Sequence, residues 1–283
     1  MRFSIITPSF RSGRWLKLCI ASVADQGVDL EHIVQDSVSD DGTLDWLRED
    51  RRVVAVVEKD EGMYDAVNRG WRRATGEICA YLNCDEQYLP GGLRAAEQFF
   101  TAHPEVDVVF ADAIVVDSDG RYICHRPALV PTRYHSMVTD NLAILTCATF
   151  IRRRALEREG LYFDPHWRVV GDAVWVLGLI DKKVRMATLR QVVSVFTDTG
   201  ENLSLKPSAL RERLEMIHSA PWWAQRLHSV IRLKYRLRKL AKGLYDQKPG
   251  TYAIYTHSSA GARVEFKIER PTARWTGRMA TRV

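Results

Sequence analysis

Four short apolar runs, separated by segments of helical periodicity, constrain the fold of this chain most strongly. They lie in "FSIITPSF" and "EHIVQDSVSDD" and at residues 53–57 and 78–82, and turn-forming or acidic residues follow them. After the first run, Trp15, Leu18 and Cys19 recur at helical spacing. Strands that alternate with helices form a mainly parallel sheet with both faces covered, so we predict an α/β fold.

Further elements are predicted along the rest of the chain. "GGLRAAEQFFTAH" is typical of a helix, "VDVVFADAIVVD" of strands, and "TCATFIRRRALEREG" of a strand that leads into a helix. "GDAVWVLGLIDKK" and most of residues 207–245 are also predicted to be helical. Residues 121–141 are rich in turn formers and predict an irregular insertion, and "PTARWTGRMATRV" predicts a loosely ordered end.

Composition excludes several classes of protein. A share of 46% hydrophobic and 27% charged residues is ordinary for a soluble globular chain of 283 residues. No apolar stretch approaches the ~18 residues needed to span a bilayer, and the start "MRFSIITPSF" fits a first strand better than a secretory signal. The five cysteines are scattered and form no CxxC pair, which argues against a disulfide framework or zinc site and favours a reducing cytoplasm.

Acidic pairs follow three of the four apolar runs. Asp36 and Asp41, Asp60 and Glu61, and Asp85 and Glu86 would meet at one edge of a parallel sheet, where ligands bind. Turn formation explains any one pair taken alone. Three pairs at one edge instead favour Mg²⁺ or Mn²⁺ under a diphosphate, because oxygen ligands suit these ions. Neither GxxxxGK[ST] nor a GxGxxG after the first strand is present, so such a site would depend on metal.

Several of these stretches together resemble a known family. "SIITPSFRSGRWLKLCIASVADQ", "HIVQDSVSDDGTLDWL", "EKDEGMYDAVNRGWRRATGEICAYLNCDEQY" and "GDAVWVLGLIDKK…FTDTGENLS" are similar to family 2 glycosyltransferases of the GT-A fold, especially bacterial enzymes that build surface polysaccharides and O-antigens. The resemblance implies a single Rossmann-like, mainly parallel mixed sheet flanked by helices. It implies a catalytic domain at 1–204, with a nucleotide-sugar half at about 1–112 and an acceptor half at about 113–204. A basic amphipathic helical extension at 205–248 and a C-terminal tail at 249–283 would follow.

The resemblance also implies roles for individual residues. Asp36 matches the acid that pairs with the edge of the base, usually uracil, and Asp85 matches the metal ligand of the DXD motif, with Glu86 as a second ligand. Asp172 matches the catalytic base. The other positions that match the nucleotide-sugar site are Thr7, Pro8, Ser9, Asp41, Asp60, Gly62, Asp65, Asn68, Asn83 and Cys84.

Departures from the family pattern concern the metal and the acceptor, and one of them is Glu86 in place of the Asp that commonly follows Asp85. Asn83 replaces the first acid of the DXD motif, which removes a charge, and Thr146-Cys147 stands where relatives often have His-Gln. Asp172 would also be expected as a capping residue at a helix start, so its role as general base needs a carboxylate within reach of an acceptor hydroxyl. Trp167 precedes it in a loop, where an aromatic ring could stack on a sugar.

The function implied is that of an inverting, metal-dependent glycosyltransferase. It would move a sugar from a nucleotide-diphosphate sugar, with UDP favoured, to a hydroxyl of a glycan or lipid-linked acceptor in cell-surface polysaccharide synthesis. Two alternatives stay open. A nucleotidyltransferase would release pyrophosphate, and a non-catalytic homologue would bind a nucleotide-sugar or a membrane without turnover.

A basic segment stands out within the formal net charge of +6. Residues 226–242 contain seven cations and no carboxylate: Arg226, Arg232, Lys234, Arg236, Arg238, Lys239 and Lys242. With the apolar residues between them and Trp222-Trp223 ahead, residues 222–244 predict either an interfacial helix on an anionic membrane or a helix packed on the catalytic domain with a solvated basic face. No nucleic acid partner is expected. The predicted location is the cytoplasm, with peripheral contact at the inner face of the plasma membrane.

Overall fold

The computed structural model describes residues 1–139, 142–200, 207–259 and 261–275. The α-helices of these ranges are α1 Gly13–Ala24, α2 Thr43–Leu47, α3 Met63–Arg73, α4 Gly92–Ala102, α5 Arg133–Val138, α6 Arg153–Glu159, α7 Gly171–Asp181, α8 Pro207–His218, α9 Trp222–Arg226 and α10 His228–Ala241. The strands are β1 Phe3–Ser9, β2 Leu30–Asp36, β3 Val54–Val57, β4 Ile78–Tyr81, β5 Gln87–Tyr88, β6 Val108–Asp117, β7 Tyr122–Arg126, β8 Thr149–Arg152, β9 Met186–Asp198, β10 Gly250–Tyr255 and β11 Arg263–Ile268.

One mixed sheet organises the chain. Its strand order is β3-β2-β1-β4-β8-β6-β9-β5, with β7 paired to β6. The first four strands in this order are parallel, as are β6 and β9, whereas β8, β7 and β5 pair antiparallel. The register places Ser9 beside Asp36 and Asp36 beside Val57, so the ends of three parallel strands lie at one edge of the sheet. The predicted mixed sheet flanked by helices is confirmed.

The sheet has a core on each face because side chains alternate along its strands. In β1, Phe3 and Ile5 pack on one side with residues of α1 and α4, and Ile6 packs on the other side with residues of α3. The α3 helix lies very close to the sheet at Gly70, where an added Cβ would come 2.3 Å from the Ile6 Cγ2 atom. Helices therefore cover both faces, as buried parallel strands require.

An aromatic cluster joins α3 to the start of α7. The Phe163 ring stacks on those of Tyr64, Trp71 and Trp175, with centroid separations of 4.7, 5.2 and 5.5 Å. Asn68 fixes the Phe163 backbone from α3, since its side-chain amide donates to the Phe163 carbonyl at 2.7 Å and its oxygen accepts from the Phe163 N–H at 2.8 Å. This packing sets where α7 begins.

Three parts of the sequence prediction differ from the structure. Residues 121–141 contain β7 and α5 rather than an irregular insertion, and residues 140 and 141 lie outside the described ranges. The segment forms these elements because β7 pairs with the adjacent strand β6 across a short turn, and because α5 packs against the distant helix α10. The long strand β9 was not predicted at all.

The third difference is at the C-terminal end. The predicted tail at 249–283 contains the antiparallel hairpin of β10 and β11, whose Tyr252 and Ile254 pack on the sheet beside β5. Residues 271–275 are held as well, since the His125 N–H donates to the Thr272 carbonyl at 2.8 Å and Trp275 packs against Phe196. The remainder of "PTARWTGRMATRV", from residue 276, lies outside the described ranges.

The range 205–248, predicted as a helical extension, contains α8, α9 and α10. Trp223 of α9 packs on Tyr134, and Tyr235 of α10 stacks on His135 of α5 with ring centroids 3.9 Å apart. Within the described ranges, no helix combines the length and the apolar character needed to cross a bilayer.

Candidate active site

A large cavity opens where the parallel strands end. Its volume is about 2180 Å³, and its wall includes Pro8, Ser9, Asp60, Asp85 and Asp172. The sequence predicted these residues at three separate strand ends and at a later helix, and in the structure they face one cavity. Ligands bind at this position in open α/β sheets.

A hydrogen-bonded network fixes the ends of β1 and β2 behind the cavity wall. Asp36 is fully buried and accepts from the Ser9 hydroxyl at 2.8 Å, the Ser39 hydroxyl at 2.8 Å and the Ser39 N–H at 2.7 Å. Asp36 itself does not line the cavity, whereas Ser9 and Ser37 do. Its observed contacts therefore shape the loops, and its predicted pairing with the base stays a prediction.

Asp60 and Gly62 form the turn that leads into α3, and both line the cavity. The Gly62 N–H donates to the Asp60 carboxylate at 2.9 Å, and Gly62 has φ of +132°, a conformation that side chains other than hydrogen disfavour. Burial raises the pKa of Asp60. The turn holds a partly desolvated carboxylate at the cavity wall.

Four other predicted site residues do not line the cavity and have partners within the protein. Thr7 shares a hydrogen bond of 2.8 Å with the buried His32, and Asp65 forms an ion pair of 2.8 Å with Arg69. Asp41 caps the next turn by accepting from the Thr43 hydroxyl at 2.6 Å, and Asn68 holds Phe163 as described above. These side chains support the site without facing it.

The turn after β4 separates its two acids. Asp85 lines the cavity with Asn83 and Cys84, but Glu86 does not; its side chain is 1% exposed and accepts from the Asn83 N–H at 2.8 Å. Burial raises the pKa of both carboxyls, and the charge of Asp85 raises the pKa of Glu86 further. The predicted metal role of Glu86 is not supported, because its carboxyl points into the protein and braces the turn.

The residues of this turn fit a divalent cation that is shared with a ligand. Within the described ranges, no group of three or more His, Cys, Asp or Glu side chains could hold a metal ion by itself. Asp85 and the Asn83 side chain offer oxygen ligands at the cavity wall. Mg²⁺ and similar ions are typically held by one or two carboxylates plus substrate phosphates and water, so this small donor set is adequate.

Asp172 lies in the first turn of α7 and lines the cavity. Its N–H donates to the Tyr64 hydroxyl at 3.1 Å, and its carboxylate accepts from the Ala173 N–H at 2.8 Å. The helix approaches Tyr64 closely at Gly171, where an added Cβ would come 2.5 Å from the Tyr64 ring. Burial raises the pKa of Asp172 to about 6, so its carboxyl is ionised at neutral pH yet able to accept a proton.

A buried acid that the sequence patterns did not indicate holds the loop before Asp172. Glu212 of α8 is 6% exposed and accepts from the N–H groups of Arg168, Val169 and Val170 at 3.1, 2.8 and 3.1 Å. Trp167 packs into a small cluster with Val170 and Met216 and does not line the cavity. Its predicted stacking on an acceptor sugar is not supported by this position.

Phe10 is the clearest site residue that the sequence patterns missed. It follows β1, lines the cavity and is 46% exposed, which is unusual for a large aromatic ring. The Arg11 and Lys59 cations lie 5.0 and 5.1 Å from its centroid. Helical or strand periodicity cannot find such a residue, because it lies in a turn; the only sequence signal is its place directly after the first strand.

Comparison with known proteins adds to this geometry. A glycosyltransferase named "PGL/p-HBAD biosynthesis glycosyltransferase" from Mycobacterium bovis (strain BCG / Pasteur 1173P2) is 32% identical over 127 residues, which cover 42% of this chain and 50% of that protein. The chain therefore spans about half the length of this curated relative.

Two solved structures share the fold. S. aureus TarS 1-349, in complex with UDP-GlcNAc, has a TM-score of 0.61 at 20% identity, covering 77% of this chain and 65% of that one. A mannosyltransferase from Pyrobaculum calidifontis, in complex with GDP-Man and Mn²⁺, has a TM-score of 0.54 at 20% identity, covering 87% and 65%. These neighbours confirm the predicted GT-A arrangement.

The family model described as "Glycosyl transferase family 2" matches residues 4–161, which is more than half of the chain. The matched range contains the strand-end loops and the Asn83–Asp85 turn, while Asp172 lies just beyond it. This protein belongs to glycosyl transferase family 2.

Proposed function

We propose that the protein is an inverting, metal-dependent transferase that moves a sugar from a UDP-sugar to a hydroxyl of a glycan or lipid-linked acceptor in cell-surface glycan synthesis. The observation that carries the proposal is that Asp85 and Asp172, from a strand end and a helix start far apart in sequence, line one cavity. The resemblance to surface-polysaccharide enzymes supports the biological setting.

The donor nucleotide would lie against the strand ends. Phe10 offers an exposed ring on which a base can stack, and Ser9 and Ser37 line the same cavity. UDP-GlcNAc in TarS and GDP-Man in the archaeal mannosyltransferase support a nucleotide-sugar as donor. UDP is favoured from the sequence resemblance.

Asp85 and Asn83 would hold a divalent cation, Mn²⁺ or Mg²⁺. When bound, such an ion offsets the charge that develops on a diphosphate leaving group. Glu86 keeps the turn in shape through its bond to the Asn83 N–H. The archaeal mannosyltransferase in complex with GDP-Man and Mn²⁺ supports a divalent cation in the proposed function.

Asp172 would act as the general base. As the acceptor oxygen forms its bond to the anomeric carbon, the bond from that carbon to the diphosphate oxygen breaks and the acceptor proton moves to the Asp172 carboxylate. Attack from the face opposite the leaving group inverts the anomeric configuration. Tyr64, Gly171 and Glu212 fix the start of α7, so that the carboxylate is held in place before the acceptor arrives.

The exposed face of α9 and α10 supports peripheral contact with an anionic membrane. The large apolar side chains on this face are Trp222, Leu227, Val230, Leu233, Leu237 and Leu240, which are between 47% and 71% exposed. The other interpretation of the sequence was a helix packed on the catalytic domain with a solvated basic face. Tyr235 does pack α10 against α5, but a solvated basic face does not explain these exposed apolar side chains. Sedimentation with vesicles of phosphatidylcholine and phosphatidylglycerol should be strong at low salt and weakened in Val230→Glu and Leu233→Glu; absence of sedimentation at low salt would contradict membrane contact.

Product release tests the proposed function against its alternatives. Incubation with UDP-sugars, Mn²⁺ and a lipid extract should release UDP in the wild-type protein and not in Asp172→Asn. Release of pyrophosphate from a sugar phosphate and UTP would instead identify a nucleotidyltransferase. Binding of UDP with no release of either product would identify a non-catalytic homologue.

A further inference from the structure

One wall of the same cavity is cationic and comes from α10. Arg232, Arg236 and Lys239, spaced four and three residues apart, share one face of the helix and line the cavity. Among the described lining residues, the carboxylates are Asp60, Asp85 and Asp172, which come from the strand ends and from α7. The α10 wall therefore carries positive charge, and the three acids belong to other elements of the fold.

Lys239 is a buried cation that forms no ion pair among the residues that the structure describes. It is 6% exposed, and the ring centroids of Tyr245 and Tyr235 lie 5.0 and 6.0 Å from its ammonium group. Asp112, a carboxylate whose charge acts on Lys239, forms an ion pair of 3.1 Å with Arg190 instead. Burial, with the nearby charge of Arg126, lowers the pKa of Lys239 to about 8. A cation in such a place is costly unless an anion joins it.

His135 of α5 stacks on Tyr235 of α10 and has hydrogen-bonding groups that are unused within the described ranges. It is 2% exposed and lines the cavity, and neither ring nitrogen has a hydrogen-bond partner among the described residues. Burial, together with the charges of Arg238, Arg232 and Arg126, lowers the pKa of His135 to about 4. The imidazole is therefore neutral at physiological pH, in surroundings that favour a negative charge.

The cations lie next to the apolar surface of α10. Leu237 and Leu240 line the cavity and are 54% and 63% exposed, so the cavity is continuous with the face assigned above to the membrane. A ligand that carries a negative group attached to an apolar chain would match both surfaces at once. A neutral glycan would leave Lys239 without a counter-ion.

We propose that Arg232, Arg236 and Lys239 form a subsite for the phosphate or diphosphate of an anionic acceptor. The inference rests on the proposed function, because it assigns the acceptor side of the same cavity. Charge-assisted hydrogen bonds from arginine and lysine are the usual means of binding phosphate oxygens, and such a group would neutralise Lys239. The acceptor sugar would then extend from this wall towards Asp172.

Binding of farnesyl diphosphate to protein saturated with UDP and Mn²⁺ tests this subsite, because the donor diphosphate position is then filled. Titration calorimetry should give binding that weakens at least about tenfold, or about 1.4 kcal/mol, in Lys239→Met and Arg236→Met. Lys234→Met is the matched control, since Lys234 lies on the same helix, is exposed and does not line the cavity. Melting temperatures of all variants report whether each one folds. If Lys239→Met does not fold, Arg236→Met still tests the subsite, because Arg236 is exposed.

The outcomes separate this subsite from the proposed function. UDP binding without farnesyl diphosphate binding, or equal weakening in Lys234→Met, would overturn the subsite and leave the donor site intact; absence of UDP binding would overturn the proposed function itself. Inorganic pyrophosphate in the same titration distinguishes the source of the phosphate. Pyrophosphate that binds as tightly as farnesyl diphosphate supports recognition of phosphate alone, and weaker binding of pyrophosphate supports a lipid-linked acceptor.

Discussion

The two walls of the cavity differ in charge and in origin. On the strand-end wall the carboxylates Asp60 and Asp85 lie with the cations Arg11 and Lys59, whereas the α10 wall carries Arg232, Arg236 and Lys239 and, in the part of the chain that the structure describes, no carboxylate. In the proposed mechanism, a metal ion at Asp85 binds the diphosphate at the first wall. The first wall belongs to the α/β sheet, and the second comes from a helix more than a hundred residues later in the chain. We infer that two anionic groups are bound by two different physical means, with Asp172 lining the space they share.

The largest effect is expected at Asp172, because in the proposed mechanism this residue accepts the proton when the acceptor attacks the donor sugar. Asp172→Asn removes the proton acceptor but keeps the size of the side chain, so transfer should fall by about 10²- to 10⁴-fold while UDP affinity stays unchanged. Rates of UDP release and calorimetric UDP titration measure the two quantities. Asp181→Asn, at the other end of α7, is the matched control and should retain transfer. Near wild-type turnover in Asp172→Asn would remove the base from the mechanism.

Asp85 and Glu86 provide a sharper test of the strand-end wall, because they are adjacent acids with opposite orientations. Asp85→Asn should weaken Mn²⁺-dependent UDP binding by at least about tenfold, since it removes the only carboxylate that this turn presents to the cavity among the described residues. Glu86→Gln keeps an oxygen that can accept from the Asn83 N–H, so it should bind UDP like the wild type. Equal losses in the two variants would mean that Glu86 also ligates the metal.

The pH dependence of transfer should follow Asp172. A carboxyl accepts a proton only when it is ionised, so with a pKa of about 6 the rate constant should be level above that pH and fall about tenfold per pH unit well below it. Initial rates at saturating donor between pH 4.5 and 8, with protein stability measured in parallel, give the profile. A rate that stays level down to pH 4.5 would place the essential base elsewhere.

The smallest effect is expected at Phe10. Phe10→Ala removes one face on which the base can stack and should weaken UDP binding by about 1 kcal/mol, or roughly fivefold. Phe10→Tyr keeps a ring and should bind UDP with wild-type affinity, which separates stacking from loss of bulk. An unchanged dissociation constant in Phe10→Ala, measured by calorimetry, would show that the base lies away from this ring.

Local patterns predicted β1, β2, β3 and β4 because each is a short apolar run followed by turn-forming or acidic residues. This signal is local even where the pairing is not, since Phe3 of β1 pairs with Ile78 of β4. β9 escaped prediction because it pairs with β6, which is distant in sequence, and the hairpin of β10 and β11 was assigned to a tail because it packs on a distant part of the sheet. β7 pairs with the adjacent strand β6, but its turn-rich surroundings were interpreted as an insertion. Propensity is a weak guide where tertiary contacts decide.

The candidate site shows the same difference between what local sequence predicts and what tertiary packing decides. The resemblance predicted Ser9, Asp60, Asp85 and Asp172 as site residues, and all four line one cavity. It did not distinguish the acids that face the cavity from those that do not. Glu86 turns inwards because the tight turn lets it accept from the Asn83 N–H, and Trp167 packs against Val170 instead of facing a sugar. Orientation depends on the packing of each loop, which sequence spacing leaves open.

The central claim is that the strand-end wall binds a nucleoside diphosphate through a metal held at Asp85. Thermal unfolding in the presence of UDP, GDP, dTDP or CMP, each with and without Mn²⁺, tests it most directly. At a hundred times the dissociation constant a ligand adds about 2.7 kcal/mol to stability, which for a chain of this size shifts the melting temperature by several degrees, about 2–4 °C per kcal/mol. We predict a shift with UDP and Mn²⁺ that is absent without Mn²⁺ and absent in Asp85→Ala. No shift with any nucleotide, or a shift that Asp85→Ala retains in full, would contradict the claim.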